Sequence, residues 1–412
     1  MKKITGTENR EPLLKNPKHI KIVHEMTKAM LSRRDFVYGG MATAALGAFG
    51  GALSFPKTSH AAIHAYPGGT DPIADNIQDA IDFWVNHLAN SVPADSPEAV
   101  LTDAEVEELR SMNLKVGHNW YGLFVPAVAG WDRFWQAEVK RWAGEVVVFD
   151  VQGKPERDIA GIQLMIDQGV QAFGALAVDW VLFGEGMRKL HAANIPSVST
   201  LGPSSAFYPT TSVASGNELE GAKGLVLPMA KKLAAEGITE TGVVMLPAKS
   251  PAFYDVVRTI GFLQGLESAE VQAECKMELV AEMPVAPGTE EALAATAAAL
   301  QQYPDVHCIC AMGHWFAGSS AAIRDAGRED VWVIAFDLDA GTAVDLLTGG
   351  WPVHVTYSIP IAQSAIADAN LMGKILLGNR VPQMVNSFGT VTTADNVYEA
   401  YDHDWNGEKA PF

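Results

Sequence analysis

The feature that most constrains this fold is a regular alternation of short apolar strands and amphipathic helices that begins at Leu114. In its first run, strand-like segments are separated by helical patterns such as the one that carries Trp131, Trp135 and Val139. The predicted strands of this run are Leu114–Gly117, Glu145–Phe149, Val170–Val178 and Ile195–Thr200. Strands that alternate with helices predict an α/β fold with a parallel sheet covered on both faces.

The same alternation starts again after a segment rich in Pro, Ser and Gly at residues 203–216, which predicts a joint between two similar lobes. A helix predicted at Gly216–Glu236 opens the second run. The later predicted strands are Gly242–Leu246, Met277–Val285, Val306–Met312, Val331–Phe336, Val353–Ser358 and Met384–Val391. A C-terminal tail that returns to both lobes would make the chain cross between them several times.

Residues 1–61 carry the features of an export signal. A twin-arginine motif is followed by a Gly- and Ala-rich apolar stretch, Val37–Leu53, and by a small-residue site at Ser59-His60-Ala61. The motif itself is Ser32-Arg33-Arg34-Asp35-Phe36-Val37. This order predicts export by the twin-arginine route and a periplasmic location. The alternative is an uncleaved membrane anchor, for which an apolar stretch of about 17 residues is marginal.

Residues 62–112 form a predicted helical extension ahead of the first lobe. Apolar residues recur there at helical spacing, and Thr102 and Glu105 are placed as a capping box that opens a second helix. The apolar residues are Ile73, Ile77, Ile81, Trp84 and Leu88. The extension is interpreted as a pad packed on the core, with partner docking as the alternative.

Composition excludes several classes of protein. The 412 residues are 48% hydrophobic and 19% charged, which is typical of a globular chain with a large core. The formal net charge is −18, and without residues 1–61 it is −24, from 20 Lys and Arg against 44 Asp and Glu. So acidic a surface repels phosphate backbones, and no nucleic-acid partner is expected.

Three cysteines cannot build a disulfide scaffold or a four-thiolate zinc site. Cys308 and Cys310 lie beside His307 but within an apolar strand, so they are predicted to be buried thiols, whereas a pairing of Cys275 with either stays open. No nucleophile elbow, zinc-protease helix or phosphate-binding loop occurs in the sequence. We therefore predict no metal, no cofactor and no enzymatic activity.

The order of several short motifs from Leu114 to Val391 resembles the periplasmic sugar-binding proteins of the ribose/galactose type. These proteins are the substrate-binding components of ABC transporters. The motifs include Asp150–Arg157, Ile166–Val170, Asn194–Val198, Phe262–Leu266, Tyr303–Val306, Ile334–Asp337 and Gly373–Gly378. The export signal and the lack of an obvious helix-turn-helix disfavour the transcriptional repressors that share this fold.

The resemblance implies a type I periplasmic binding protein: two Rossmann-like lobes with parallel sheets, joined by a three-strand hinge. Lobe 1 would comprise residues 113–202 and 359–383, and lobe 2 residues 203–358 and 384–412. The crossings would fall near residues 200–204, 357–358 and 384–388. A small ligand would bind between the lobes, which would close on it.

The resemblance also implies which residues line the cleft of lobe 1. Trp120, Tyr121 and Phe124 follow the first strand, where rings would stack on the C–H face of a sugar. The alternative is that these rings pack only against the next helix. Asp179 follows another strand and would accept ligand hydroxyl groups, unless it caps the following helix instead.

In lobe 2 the resemblance assigns Arg258 and Asp337 to the cleft. The alternatives are a solvated helix arginine and a cap on the helix near Ala340, with Asp339 as a close competitor. His314 and Trp315 follow Gly313, where the family usually has an asparagine. Ser358 stands where the ribose branch often has a glutamine. These departures favour a different pentose, a polyol or a less polar ligand over ribose.

The leading hypothesis is a binding protein that captures a sugar or sugar-like polyol and delivers it to an ABC transporter permease. A second hypothesis is a sensor subunit that presents the closed form to a membrane chemoreceptor. A third is an exported enzyme of unrecognised chemistry, which a turnover screen would separate from a binder.

Overall fold

The computed structural model describes residues 14–41, 73–286, 288–349 and 351–407. Its first elements precede the main lobes and are α1 (Pro17–Met41), α2 (Ile77–Ala89), β1 (Val92–Pro93) and α3 (Asp103–Met112). The twin-arginine motif therefore lies within α1. Most of the apolar stretch that follows it, from residue 42, and the small-residue site at 59–61 lie outside the described residues.

Lobe 1 begins with five parallel strands and the helices between them. In chain order these elements are β2 (Lys115–Trp120), α4 (Pro126–Val139), β3 (Glu145–Asp150), α5 (Pro155–Asp167), β4 (Ala172–Ala175), α6 (Phe183–Ala192), β5 (Ser197–Thr200) and β6 (Ser212–Ser215). Apolar side chains such as Val116 and Phe173 are fully buried between the helical layers. This burial on both faces is typical of a parallel sheet.

Lobe 2 repeats the arrangement after Ser215. Its elements are α7 (Glu218–Gly224), α8 (Val226–Ala235), β7 (Glu240–Leu246), α9 (Phe253–Leu266), α10 (Ala269–Glu274), β8 (Lys276–Glu282), α11 (Thr289–Gln302), β9 (Val306–Ala311), α12 (Phe316–Asp325), β10 (Trp332–Phe336), α13 (Ala340–Leu347) and β11 (Val353–Ser358). The chain then returns to both lobes through α14 (Ile361–Leu376), β12 (Met384–Asn386), β13 (Thr390–Thr392) and α15 (Val397–Asp404).

The strands form two sheets, one in each lobe. The first sheet has the order β1-β12-β6-β5-β4-β2-β3, and the second has the order β13-β11-β10-β9-β7-β8. All pairings between these strands are parallel except that of β11 with β13. The predicted fold of two α/β lobes with parallel sheets is therefore confirmed.

The chain passes between the sheets three times: after Ser215, after Ser358 and between Asn386 and Thr390. The first passage comes later than the predicted 200–204, because β6 adds one more strand to lobe 1 beside β5. The residues of β6 are small and half of them are serines, so no apolar pattern marks the strand. The segment predicted as one strand at 384–391 is two strands, β12 in the first sheet and β13 in the second.

The extension packs on lobe 1. The capping box at the start of α3 is confirmed, because Thr102 Oγ1 accepts the Glu105 N–H and the Glu105 carboxylate accepts the Thr102 N–H. The same carboxylate pairs with Lys374 of α14 at 2.9 Å. The strand β1 joins the first sheet beside β12. Through these contacts, residues 73–112 pack against the sheet and helices of lobe 1.

The three passages meet at the side chain of Tyr357, the penultimate residue of β11. Its hydroxyl donates a hydrogen bond to the Gly216 carbonyl and accepts one from the Gly389 N–H at 3.1 Å. Its ring lies so close to Gly221 and Gly389 that a Cβ on either glycine would lie within 2.5 Å of ring atoms. Glycine at these two positions therefore allows the phenol to occupy the hinge.

Cys275, Cys308 and Cys310 are buried free thiols, as predicted for the last two. Within the described ranges, no group of three or more His, Cys, Asp or Glu side chains is arranged to hold a metal ion. None of the helices in those ranges is both long enough and apolar enough to cross a membrane.

Candidate functional site

A small cavity of about 40 Å³ lies between the lobes, at the carboxyl ends of the strands of both sheets. Ligands bind at this edge in open α/β sheets. This space is small compared with the few hundred Å³ that are typical of ligand pockets. We therefore expect the lobes to move apart and rearrange when a sugar enters. The lining residues are Tyr121, Val125, Val128, Trp131, Leu176, Val178, Leu201, Ala248, Ser250, Tyr254, Asp255, Arg258, Gly313, His314, Trp315 and Asp337.

Arg258 on α9 is the centre of the polar wall that lobe 2 contributes. It is only 2% exposed, and its Nε donates to Glu218 Oε2 at 2.6 Å. The other nitrogens donate to the Met312 carbonyl at 3.0 Å and to Asp337 Oδ1 at 3.4 Å. Burial disfavours the charged guanidinium, but the Glu218 and Asp337 carboxylates outweigh burial and raise the pKa of Arg258. The guanidinium is thus a fixed cation held by two carboxylates.

Asp337 directly follows β10 and faces this guanidinium. Its backbone adopts a φ of 72°, a left-handed conformation that aspartate tolerates better than most residues. The conformation is held by the Asp337 N–H, which donates to the Tyr357 carbonyl, and by Thr356 Oγ1, which donates to the Asp337 carbonyl. Burial raises the pKa of Asp337 to about 6, although Arg258 opposes the shift.

Two further polar residues lie one turn ahead of Arg258 on α9. Tyr254 and Asp255 share its helix face, because side chains three and four residues apart are neighbours. Asp255 Oδ2 accepts the Ala252 N–H, whereas Asp255 Oδ1 is buried without a hydrogen-bond partner among the described residues. Burial raises the pKa of Asp255 to about 7. Lobe 2 therefore offers an unused carboxylate oxygen beside the cavity.

His314 and Trp315 complete the wall of lobe 2. Burial lowers the pKa of His314 to about 4, so the imidazole is neutral near pH 7, and its Nε2 is buried without a partner among the described residues. The Trp315 indole N–H donates to the Leu246 carbonyl at 3.0 Å. Its ring fills the space above Gly313, where a Cβ would lie 2.5 Å from ring atoms. The indole thus occupies the room beside the position where the family usually has an asparagine.

The wall that lobe 1 contributes is apolar. It is built from Val125, Val128 and Trp131 around α4 and from Leu176, Val178 and Leu201 beyond β4 and β5. The Trp131 indole N–H is used away from the cavity, because it donates to Ser364 Oγ at 2.7 Å. Tyr121 also lines the cavity. Among the described lining residues of lobe 1, its hydroxyl is the only polar side-chain group without a hydrogen bond inside the lobe. Leu201 lines the cavity with a φ of 66°, a strained backbone conformation for a leucine.

Two hydrogen bonds to backbone carbonyl groups join the lobes beside the cavity. The Tyr254 hydroxyl donates to the Ala177 carbonyl, and the Trp180 N–H donates to the Pro251 carbonyl, each at 3.4 Å. The ring of Tyr121 also meets His314 edge-to-face at 5.9 Å between ring centres. These long contacts cross the cleft and must break when the lobes separate.

The structure places five of the nine predicted site residues on the cavity: Tyr121, Arg258, His314, Trp315 and Asp337. Phe124 is 57% exposed and lies at a more open depression of about 500 Å³ between the lobes, which His314 and Val125 also line. It therefore stands at the mouth of the cleft. Arg324, Asp339 and Asp345 of lobe 2 line the same depression.

Trp120, Asp179 and Ser358 lie away from the cavity lining. Trp120 is fully buried against His118, with its ring stacked at 3.6 Å, and donates to Asp132. Asp179 Oδ1 accepts the N–H groups of residues 181 and 182, which is the helix-capping alternative for that residue. Ser358 is buried at the hinge, paired with Thr390 of β13.

A family model described as a periplasmic binding protein domain matches residues 123–377. The ribose import binding protein RbsB of Escherichia coli (strain K12) is 24% identical over 266 residues, which cover 64% of this chain and 77% of that protein.

Solved structures share the fold. An ABC transporter solute-binding protein from Mycobacterium smegmatis with bound glycerol has a TM-score of 0.61 at 17% identity, covering 69% of this chain and 95% of that one. An ABC transporter solute-binding protein from Agrobacterium vitis with bound allitol has a TM-score of 0.60 at 18% identity, covering 69% and 97%.

Proposed function

Because the chain belongs to the periplasmic binding protein domain family, we propose that it captures a sugar or sugar-like polyol and delivers it to an ABC transporter. The observation that carries this proposal is the cavity between the lobes, with Arg258, Asp255 and Asp337 on one wall. Carboxylates and a planar guanidinium form strong hydrogen bonds with ligand hydroxyl groups. RbsB is by name a ribose importer component, and the two solved relatives hold polyols.

Hinge closure is the proposed mechanism of capture. The lining residues come from both lobes, so a ligand contacts all of them only in the closed form. A ligand that binds the closed form better shifts the population toward it. The cavity of about 40 Å³ is then the collapsed state of a site that expands around its ligand.

We propose that the protein acts in the periplasm, which it reaches through the twin-arginine export signal at residues 1–61. The proposed partner is the permease of an ABC transporter. Docking of the closed form to a chemoreceptor through the extension has less support, because α2, α3 and β1 are integrated into the lobe 1 layer.

The experiment is a thermal-shift screen of the full-length chain against pentoses, hexoses and polyols, followed by calorimetry on each hit. A true ligand raises the free energy of unfolding by about 2.7 kcal/mol at a hundredfold excess over its Kd. Recovery of the ligand unchanged after prolonged incubation distinguishes binding from turnover. A screen in which no sugar or polyol stabilises the protein at millimolar concentration contradicts the proposal.

A further inference from the structure

The polarity of the cavity lining is divided by lobe. Lobe 2 provides all the charged groups and most of the neutral polar groups, whereas lobe 1 provides the Tyr121 hydroxyl and otherwise apolar side chains, including Val125, Val128, Leu176, Val178 and Leu201. These five side chains are each less than a tenth exposed. A ligand enclosed here therefore meets hydrogen-bonding side chains mainly on one of its two sides.

This division disfavours a ligand with hydroxyl groups all around its ring. A hydroxyl that leaves water and faces Val128 or Leu201 finds no side-chain partner there. An unpaired buried polar group costs about 1–3 kcal/mol. Two such hydroxyl groups would cancel much of the affinity of a small ligand, whereas a methyl or methylene group at the same place would gain from burial.

The polar wall of lobe 2, in contrast, requires hydrogen-bonding groups on the ligand. Asp255 Oδ1 and His314 Nε2 are buried without partners among the described residues, and Asp337 uses one oxygen on Arg258. An ionised carboxylate oxygen accepts hydrogen bonds, whereas a protonated carboxyl also donates one, so the side of the ligand that faces lobe 2 needs groups that can both donate and accept. Hydroxyl groups do both without adding charge.

We propose that the ligand has a hydroxylated side and a hydroxyl-free side, as in a deoxy sugar or an alkyl-substituted polyol. Its hydroxyl groups bind Asp255, Arg258 and Asp337 of lobe 2. Its hydroxyl-free side packs against Val128 and Leu201 of lobe 1. The inference rests on the proposed function and names the chemical class of ligand for that site.

The first test compares probes that differ by one hydroxyl group, with calorimetry on the full-length chain. The pairs are L-fucose with L-galactose, L-rhamnose with L-mannose, and hexane-1,2-diol with hexane-1,2,6-triol. We expect the member with fewer hydroxyl groups to bind at least about 10-fold tighter in each pair that binds, which equals about 1.4 kcal/mol. A pair in which the parent binds as tightly overturns the inference.

Failure of this inference is distinguishable from failure of the proposed function. If none of the six probes binds while another fully hydroxylated sugar or polyol does, the inference is wrong and the proposed function stands. If no sugar or polyol binds at all, both are wrong.

The second test places a polar group on the apolar wall. Leu201→Asn suits the left-handed backbone at this position, because asparagine adopts that conformation more readily than leucine. We expect it to reduce the preference for the deoxy probe by at least about threefold, whereas the apolar control Leu201→Met should retain it.

Val128→Thr is a second variant on a different element. It adds a hydroxyl group on α4 at nearly unchanged volume and should move the preference in the same direction. Circular dichroism establishes that each variant is folded before its binding is measured. If both folded polar variants keep the wild-type preference, the apolar wall does not contact the ligand and the inference is wrong.

Discussion

The two walls of the cleft are organised in different ways. On the lobe 2 wall, Arg258 is bonded to Glu218, Asp337 and a backbone carbonyl before any ligand is present. On the lobe 1 wall, side chains such as Val128 and Leu176 are held only by packing. The polar wall is therefore preorganised, which reduces the cost of ordering on binding. From this difference we expect lobe 2 to select the ligand and lobe 1 to close over it.

The largest expected effect is the loss of unfolding free energy when the cation of the polar wall is removed. Arg258→Ala leaves the Glu218 and Asp337 carboxylates buried without a positive partner, and breaking a buried pair in this way costs about 3–5 kcal/mol of unfolding free energy. Val128→Ala on the other wall removes two buried methyl groups, at a cost of about 1–2 kcal/mol. Urea denaturation of both variants measures the difference.

A surface pair provides the control for that prediction. Arg188 pairs with Glu185 on α6, and its side chain is 55% exposed. Arg188→Ala should cost at most about 1 kcal/mol. Equal losses of unfolding free energy for the variants at 258 and 128 would contradict the prediction that the buried Arg258 cation stabilises the polar wall.

The second prediction concerns ligand binding. Asp337→Ala removes a carboxylate that faces the cavity and is expected to weaken binding by about 1–3 kcal/mol, because its ligand and protein partners are left unpaired. Calorimetry with a hit from the sugar and polyol screen measures the change. The control is Asp330→Asn, a lobe 2 carboxylate paired with Arg328 outside the cleft. Unchanged affinity for Asp337→Ala removes that residue from the site.

The last prediction is a pH dependence of stability that arises from the lobe 2 wall. The pKa of Asp255 is about 7 and that of Asp337 about 6 in the folded protein. In the unfolded chain aspartate titrates near pKa 3.9, so the folded state binds more protons between about pH 4 and 7. This contribution to stability is present below about pH 4 and is lost as the pH rises through 6 and 7.

Asp255→Asn removes one of these two groups, so its unfolding free energy relative to wild type should rise between about pH 4 and 7. The neutral His314 has the opposite dependence, but it is present in both proteins and largely cancels. Asp330→Asn should give a nearly flat difference over this range, because the Arg328 hydrogen bond lowers the pKa of Asp330 and places its dependence, of opposite sign, below about pH 4. Urea titrations across this range measure both slopes. A flat difference for the variant at 255 would mean that its carboxyl is not buried in the folded protein.

The family resemblance was most informative where a residue follows an apolar strand. It assigned Asp337 and Tyr121 to the cleft, and both line the cavity because strand ends converge there. Trp120 precedes Tyr121 by one residue, and neighbouring strand residues point to opposite faces, so only one of the two rings could face the ligand. Periodicity does not indicate which of the two it is.

Some of the remaining cavity residues could have been predicted from the sequence, and others could not. Tyr254 and Asp255 could have been found from their helical spacing to Arg258. Val128, Trp131 and Leu201 could not, because an apolar residue that lines a cleft has the same pattern as one that lines the core. The boundary after Ser215 was hidden for a similar reason, since the small residues of β6 lack the alternation or apolar run that marks a strand.

The hydroxyl of Tyr357 has a consequence for the motion of the whole molecule. This one group bonds the first passage at Gly216 and the third at Gly389, and it belongs to the strand that leads into the second. A bend of one connection alone would strain these bonds, so we expect the three connections to move together when the lobes open.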